Sequence, residues 1–329
     1  VDGTANEPGG YRLVARYSEV FEGAFPLAID TDVFPGSILM ARVDLEAGAW
    51  FSANYVRREV VTFGTAGTLR VLSPSGSEIF SGSINSFSYD SGLIQATTSG
   101  EYVVILQSST IEASVGLWIR DVPELSVGAV AEGSLQERST QYFRFTAAEG
   151  DFLRASNDRS TGFSANLQLV ESSGNNLAYS FIYSVQDGTY PSVITSSGEY
   201  FVQLGSGFST LRTTRDYRVA LNEVLPPTAL SFDAKGRAQV NGGQIGLFGD
   251  IRLYSIPASS GDALITELLA GGVTNLTQEA TVKVYRVDYG DWRNPASAVM
   301  EESFLTNYGD TAKGILEFGG RTLPADDTY

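Results

Sequence analysis

The sequence contains no histidine and no cysteine among its 329 residues. Without histidine a Ser-His-Asp triad cannot be built, zinc loses its usual nitrogen ligand, and the commonest general base near neutral pH is missing. Without cysteine there are no disulfide bonds, no thiol nucleophile and no thiolate metal site. Because these absences remove the commonest catalytic chemistries, we predict that the chain is not an enzyme and requires no cofactor.

Lysine and long apolar runs are also scarce. The only lysines are Lys235, Lys283 and Lys313, and the formal net charge at pH 7 is −16. Such an acidic surface repels nucleic acid and anionic membranes, and it favours hard cations. No apolar run reaches the roughly 18 residues of a membrane-spanning helix, so we expect neither nucleic-acid binding nor membrane insertion.

What the chain does contain is a repeat of about 100 residues. Each copy begins with an alternating strand that leads into a small polar turn with glycine, at residues 38–50, 141–153 and 251–264. A second apolar strand follows in each copy, from Thr68, Asn166 and Thr281. Turn-forming residues recur about every 8 to 12 residues, as in chains of antiparallel strands joined by tight turns. This rhythm predicts an all-β fold of sandwiches or barrels.

Prolines interrupt the repeat at Asp121–Glu124 and at Leu225–Pro227, which we interpret as short, stiffened links that hold the domains in a semi-rigid row. The predicted domains are 17–123, 124–226 and 227–329. Residues 1–16 are predicted to be a terminal strand of a preceding or neighbouring domain, and the third domain to be incomplete at its C-terminal end. The one helix-like stretch, Ala263–Ala270, is predicted as strand from its place in the repeat.

The two ends of the chain carry complementary signals. Tyr11–Ala15 has the same Tyr-Arg-apolar pattern as Tyr217–Leu221, the closing strand of the second copy, and the third copy has no such strand. Two interpretations stay open. The chain is an excerpt of a longer tandem array, or residues 10–15 of one subunit complete the third domain of the next and build a head-to-tail filament. In the second case the assembly strand is formed by Tyr11, Leu13 and Ala15.

The order of these motifs resembles the bacterial pre-peptidase C-terminal domain. The second copy carries the resemblance through Tyr142–Leu153, Asn166–Gly174, Ser197–Leu204 and Tyr217–Leu221; the first through Arg42–Trp50, Leu69–Gly76 and Gly100–Leu106; the third, more loosely, through Arg252–Leu264 and Val282–Gly290. The resemblance implies tandem jelly-roll-like antiparallel β-sandwich domains outside the cell, some of whose relatives bind calcium or polymeric substrates. The chain departs from the usual setting of the family because it contains no peptidase domain.

The Ser-Gly-Glu-Tyr segments of the first two copies have a structural explanation. Glycine permits a tight turn with positive φ, and Tyr102 and Tyr200 then begin a strand. We expect each tyrosine ring to close the edge of its sandwich with the hydroxyl in water. Trp50 and Trp118 lie in similar strand patterns and are predicted to be core residues.

Calcium is the ligand that the sequence favours most, because hard cations take several oxygens from carboxylates and loop carbonyls. Three pairs of acidic residues in expected loops are the candidates: Asp30 with Asp32, Asp288 with Asp291, and Asp326 with Asp327. None of them matches an EF-hand or the glycine-aspartate nonapeptide, and a solvated acidic turn is the simpler explanation of each pair.

A glycan site is the second candidate, since Trp292 stands in a polar loop with Tyr289 nearby and flat aromatic rings stack on sugars. The hypothesis that fits the repeat best is an extracellular or cell-surface structural protein, the shaft of a fibre, stalk or adhesin. Its expected partners are copies of itself or neighbouring repeats, and possibly polysaccharide. A filament subunit joined by donated strands and a glycan- or polymer-binding module of a secreted enzyme are the alternatives.

Overall fold

The computed structural model describes residues 18–57, 67–85, 88–108, 113–136, 138–157, 165–180, 189, 191–206, 214–239 and 252–258, and beyond these the short strands given below. The regular secondary structure of the described residues is β-strand throughout. No helix that is long and apolar enough to cross a membrane occurs in this part of the chain.

The first copy forms two sheets that face each other. Its strands are β1 (Ser18–Glu22), β2 (Leu27–Val33), β3 (Ile38–Leu45), β4 (Trp50–Arg57), β5 (Gly67–Leu72), β6 (Glu78–Ile84), β7 (Ser88–Asp90), β8 (Ile94–Gln95), β9 (Gly100–Ser108) and β10 (Ala113–Asp121). One sheet has the order β1-β3-β9-β5-β6 and the other β2-β10-β4-β7, with β8 also paired to β4. Between them lies a core that includes Phe51, Tyr55, Tyr102 and Leu117, since alternate residues of each strand point inward.

The second copy repeats this sandwich. Its strands are β11 (Val130–Gln136), β12 (Thr140–Ala147), β13 (Phe152–Asn157), β14 (Ala165–Glu171), β15 (Asn176–Ser180), β16 (Ser192–Val193), β17 (Gly198–Ser206) and β18 (Thr214–Glu223). One sheet has the order β12-β17-β14-β15, which repeats β3-β9-β5-β6, and the other has the order β11-β18-β13-β16. The core includes Phe143, Phe145, Tyr200 and Leu221, so the predicted antiparallel β-sandwich domains are confirmed.

Beyond the second sandwich the described strands form five two-stranded pairs. The strands are β19 (Thr228–Ala229), β20 (Tyr254–Ser255), β21 (Pro257–Ala258), β22 (Ala263–Leu264), β23 (Glu267–Ala270), β24 (Glu279–Tyr285), β25 (Ala298–Leu305), β26 (Gly314–Glu317), β27 (Arg321–Thr322) and β28 (Asp327–Thr328). Ala263–Ala270 contains β22 and β23, as the repeat predicted. The predicted domain limits stay a prediction, and residues 1–16 lie outside the described residues.

The link between the two sandwiches is part of a sheet. The amide of Leu125 donates to the carbonyl of Arg144 at 2.7 Å, and the amide of Arg144 donates to the carbonyl of Pro123 at 2.8 Å. Glu124 thereby forms a parallel bridge with Arg144 at the edge of β12. A link that is hydrogen-bonded at both sides of its bridge residue has little freedom to bend, since each bond fixes backbone dihedrals.

The same parallel edge occurs in all three copies. In the first, β1 pairs in parallel with β3, with Glu22 opposite Arg42. In the third, β19 pairs in parallel with β20, and the amide of Thr228 donates to the carbonyl of Leu253 at 2.9 Å. Each copy is therefore entered through a short segment that joins its sheet before the first antiparallel strand begins.

Candidate functional site, the contact between the two sandwiches

On the outer face of the sheet β2-β10-β4-β7, the middle of β4 is buried although it is turned away from its own core. In β4 the inward residues are Phe51, Ala53 and Tyr55, so Ser52 and Asn54 point outward, yet they are 0% and 1% exposed. An antiparallel sheet that faced water on this side would leave such polar residues solvated. The contacts of this face lie in the second sandwich, on strands β12 and β17.

Trp50 makes two of these contacts, at the start of β4. Its indole Nε1 donates a hydrogen bond to Oε2 of Glu199 in β17 at 2.8 Å. Its ring meets the edge of Phe201, two residues further along β17, with ring centroids 5.0 Å apart and an interplanar angle of 68°. Glu199 is also paired with Arg144 at 3.3 Å, so the indole joins an ion pair within the second sandwich.

Asn54 anchors the middle of the contact. Its side-chain Oδ1 accepts a hydrogen bond from the backbone amide of Thr140, the first residue of β12, at 2.8 Å. Its Nδ2 donates to the hydroxyl of Ser52 at 3.2 Å. Because buried amides need a partner, Asn54 supplies the acceptor that this end of β12 requires.

A third polar contact joins β7 to β12. The hydroxyl of Tyr142 donates to Oδ2 of Asp90 at 2.7 Å, and the amide of Gly92 donates to Oδ1 of the same carboxylate at 3.0 Å. Burial raises the pKa of the Asp90 carboxyl above its ordinary value, although these two hydrogen bonds act in the opposite direction. Burial and the neighbouring carboxylate together raise the pKa of the Tyr142 hydroxyl, so that it remains a donor.

The end of β10 completes the contact. Nε2 of Gln141 donates to the carbonyl of Asp121 at 2.8 Å, and a guanidinium nitrogen of Arg120 lies 3.5 Å from the hydroxyl of Ser139. Burial lowers the pKa of the Arg120 guanidinium, against the attraction of Tyr217, Asp121 and Asp90. The two sandwiches therefore meet through an aromatic contact and a set of polar contacts spread over five strands.

Trp50 differs from the prediction that both tryptophans of the first sandwich are core residues, whereas Trp118 is buried as predicted, although on the outer side of its sheet. Trp50 lies on the outer face and contacts the second sandwich. Trp118 also belongs to the outer face, because its neighbours Leu117 and Ile119 point into the core. Its ring lies over Gly116, where an added Cβ would come within 2.2 Å of the ring, and only 5% of Trp118 is exposed.

The second sandwich repeats the buried outer face on its own far side. By the pairing of β13 with β18, Phe152 and Ser156 take the places of Trp50 and Asn54, and Asn222 takes that of Arg120. These three residues point away from their core, yet Phe152 is 7%, Ser156 0% and Asn222 5% exposed. Burial of outward residues on this sheet thus recurs in the second sandwich.

The tyrosines that follow the Ser-Gly-Glu segment differ from the expectation of solvated hydroxyls. The hydroxyl of Tyr102 donates to the carbonyl of Thr98 at 2.9 Å, and that of Tyr200 donates to the carbonyl of Ser196 at 2.5 Å. Both rings are buried, so each tyrosine fixes the turn that precedes its strand. Gly100 has the expected positive φ, of 139°, whereas Gly198, its counterpart in the second copy, does not adopt a positive φ in the left-handed range.

Asp30 and Asp32 do not lie in a loop, as the calcium hypothesis assumed. Both belong to β2, where they pair with Gly116 and Ser114 of β10, and both are exposed at the edge of the sheet. Acidic residues on an edge strand discourage pairing with other strands. Within the described ranges, no group of three or more carboxylate residues is arranged to hold a metal ion.

The other predicted site residues lie outside the part of the chain whose side chains the structure describes. They are Asp288, Asp291, Asp326, Asp327, Tyr289 and Trp292 of the calcium and glycan hypotheses, and Tyr11, Leu13 and Ala15 of the assembly strand. These hypotheses stay predictions.

No protein-family model and no curated protein sequence matches the chain. Among solved structures it is similar to PliG of Aeromonas hydrophila, a periplasmic inhibitor of g-type lysozyme, at 10% identity and a TM-score of 0.25, over 32% of this chain and 99% of that one. It is also similar to the CUB1-EGF-CUB2 domains of rat MASP-1, at 9% identity and a TM-score of 0.21, over 62% of this chain and 100% of that one. A third match is the extracellular region of zebrafish Gpr126/Adgrg6, at 8% identity and a TM-score of 0.20, over 64% and 37% of the two chains. This distant likeness to β-sandwich proteins says nothing about function.

Proposed function

We propose that this chain is a load-bearing or spacing segment of an extracellular structural protein, the shaft of a surface fibre, stalk or adhesin. The observation that carries the proposal is the fixed connection between the two sandwiches. Their link is hydrogen-bonded into a sheet, and their facing sheets are joined through Trp50, Asn54 and Asp90. A row of domains that keeps its orientation sets a distance, which is what a shaft must do.

The finer parts of the proposal rest on the sequence. The repeat resembles pre-peptidase C-terminal domains, which implies a location outside a bacterial cell and neighbours of the same kind. The net charge of −16 keeps such a protein soluble and suppresses uncontrolled association of its β-strands. We therefore propose neighbouring repeats or further copies of the chain as partners.

Small-angle X-ray scattering of the dilute protein tests the fixed connection. A variant with Gly-Ser-Gly-Ser inserted after Asp121 separates the link from the contact face, and we expect it to show a broader distribution of interatomic distances than the wild type. The same insertion in the exposed turn after Ser75 is the control, because it lengthens a hairpin within one sandwich. The proposal fails if the wild type and the Asp121 insertion variant give the same flexible profile.

Binding assays separate the shaft from the glycan-binding module. A glycan array probed with the wild type, followed by the Trp292→Ala variant on any sugar that binds, tests the stacking hypothesis. Saturable binding that depends on Trp292 would assign the chain to a binding module instead of a shaft.

A further inference from the structure

The edge strand β6 has no neighbour on its far side among the described strands. It ends the sheet β1-β3-β9-β5-β6 and pairs with β5, where Ser81 lies opposite Arg70. A register shift beside Leu72 interrupts this pairing at the start of β6, but from Phe80 to Ile84 the ladder is regular. Alternate residues of such an edge direct their backbone N–H and C=O groups away from the neighbouring strand. β6 therefore offers hydrogen-bonding groups to an extended chain that lies beside it.

The other edges of the first sandwich are charged or short, whereas β6 is seven residues long and nearly uncharged. Glu19 and Glu22 lie on β1, Asp30 and Asp32 lie on β2, and β7 and β8 have three and two residues. Charge and shortness are common protections of an edge against pairing with another strand. In β6 the only charged residue is Glu78, at the first position, and the strand contains neither lysine nor proline.

Apolar side chains lie partly open at the same edge. Ile79 is 39% exposed, and Phe80 packs against the core while remaining half-buried. Tyr89 of β7 packs here too, with its ring centroid 6.3 Å from that of Phe80 and its hydroxyl 1.9 Å from the place where a Cβ on Gly82 would stand. Gly82 therefore leaves room for this ring. A strand laid beside β6 would cover these apolar groups and also bond the open backbone.

The sequence of β6 is complementary to itself when two copies run antiparallel. Ser81 is the middle of its seven residues, so pairing Ser81 with Ser81 aligns the two strands over their full length. That register sets Phe80 opposite Gly82, where a ring covers the surface that a glycine leaves bare. The two Glu78 carboxylates then lie at opposite ends of the pair, and each stays 3.7 Å from Arg70 of its own chain. Like charges therefore do not meet along the paired strands.

We infer that β6 is an assembly edge, at which a second copy of this chain pairs its own β6 antiparallel to the first, with the two Ser81 residues at a two-fold axis. The occupant is a second β6 because the strand fits itself over its whole length, and because a two-fold axis sets identical strands antiparallel. The inference goes beyond the proposed function and does not rest on it, since a paired edge neither requires nor excludes a fixed contact between the two sandwiches of one chain.

The charge of the chain sets the conditions for this pairing. Two copies that each carry a net charge of −16 repel one another, although the strands themselves meet through uncharged residues. Screening at higher ionic strength weakens the repulsion and leaves the backbone hydrogen bonds in place. We therefore expect association to increase as sodium chloride is raised, and a contact with two-fold symmetry to stop at a dimer.

Sedimentation velocity of the whole chain, over a range of protein and salt concentrations, tests the inference. Ser81→Lys and Ser81→Glu each place like charges directly opposite at the axis, and we expect each to lower the dimerisation constant by about fivefold or more. An equimolar mixture of the two variants brings opposite charges together and should restore dimers. The matched control is Ser134→Lys, at an exposed serine of the edge strand β11, which should leave dimerisation unchanged.

Four results would overturn the inference. The wild type stays monomeric at every concentration of protein and salt, its complexes grow beyond a dimer, or the mixture of Ser81 variants associates no better than either variant alone. The fourth is association that survives Ser81→Lys but is lost when residues 1–16 are deleted, which would assign assembly to strand donation. Ser81 is exposed, so the thermal unfolding of both variants should match that of the wild type, and recovery in the mixture shows that neither is simply unfolded.

Discussion

The hydrogen bond between Trp50 and Glu199 offers the sharpest test of the contact between the sandwiches. Its control is the equivalent ion pair of the first sandwich, between Glu101 and Arg42. Trp50→Phe keeps an aromatic ring against Phe201 and removes the indole donor together with part of the ring area. A hydrogen bond to a charged acceptor contributes about 1.5 to 3 kcal/mol. Trp50 is half-buried, which favours the lower end of that range, and we expect a loss of about 1.5 kcal/mol.

The interaction itself is measured with a double-mutant cycle that combines Trp50→Phe and Glu199→Gln. We expect a coupling free energy of about 1 to 1.5 kcal/mol from urea unfolding followed by circular dichroism in dilute protein. Glu101→Gln is the control, because Glu101 pairs with Arg42 as Glu199 pairs with Arg144, but no indole of the described residues donates to it. An exposed ion pair of that kind contributes only about 0.2 to 1 kcal/mol.

A coupling free energy below about 0.3 kcal/mol would refute the reasoning, since that is the additivity expected of independent sites. The same conclusion follows if Glu101→Gln destabilises the chain as much as Glu199→Gln. Either result would mean that the indole adds nothing to the ion pair, and that Trp50 does not help to hold the two sandwiches together.

Three further predictions concern the polar groups of the sandwiches. Asn54→Ala leaves a buried amide of the contact without its acceptor, and urea unfolding should show a loss of about 1 to 3 kcal/mol. Because burial raises the pKa of Asp90 above 3.8, its contribution to stability is complete below that pH and is lost as the pH rises through the higher folded value. Asp90→Asn removes this loss, so its melting temperature relative to the wild type should be higher at pH 7 than at pH 3. Tyr102→Phe and Tyr200→Phe each remove one hydroxyl bond to a turn carbonyl, and each should cost about 1 kcal/mol in urea unfolding.

Each of these predictions has a result that contradicts it. Asn175→Ala, in an exposed turn, is the control for Asn54→Ala, and equal effects of the two would count against an anchoring role. An Asp90→Asn variant whose melting temperature follows that of the wild type at every pH would show that Asp90 is not titrating in a buried site. Unequal effects of the two tyrosine variants, with one near zero, would mean that the repeated bond has different roles in the two copies.

The β-sandwich architecture can be predicted well from the sequence, because the side chains that form a sandwich core alternate with outward side chains along each strand. Phe143 and Phe145 point to the same side of β12, and both lie in the core as the alternation required. The turn of the first copy is predicted for a similar local reason, since Gly100 permits the positive φ that the structure shows, but the same prediction is wrong for Gly198. Strand Ala263–Leu264 was assigned correctly because the repeat outweighed its helix-like composition.

The contact between the sandwiches is not predicted, because it depends on which outward faces meet and a single strand does not encode that. Ser52 and Asn54 read as the polar, solvated side of β4, yet both are buried. One feature of the sequence did indicate a buried outer side of β4. β4 carries a tryptophan and only small or neutral residues on its outer side as far as Val56, whereas a solvated face usually carries charge. Asp30 and Asp32 were placed in a loop because their acidic character hid the alternation of an edge strand.

The polar character of the contact has a consequence for the shape of the molecule. Two flat sheets held together only by apolar area can rotate against each other with little change in the area that they bury. Hydrogen bonds at Trp50, Asn54 and Asp90 lie at separate points on that surface, and a rotation that keeps one of them breaks the others. Each buried partner left unsatisfied costs about 1 to 3 kcal/mol. The contact therefore selects one orientation of the second sandwich relative to the first. If successive modules repeat this contact, it fixes the direction of the whole row of domains.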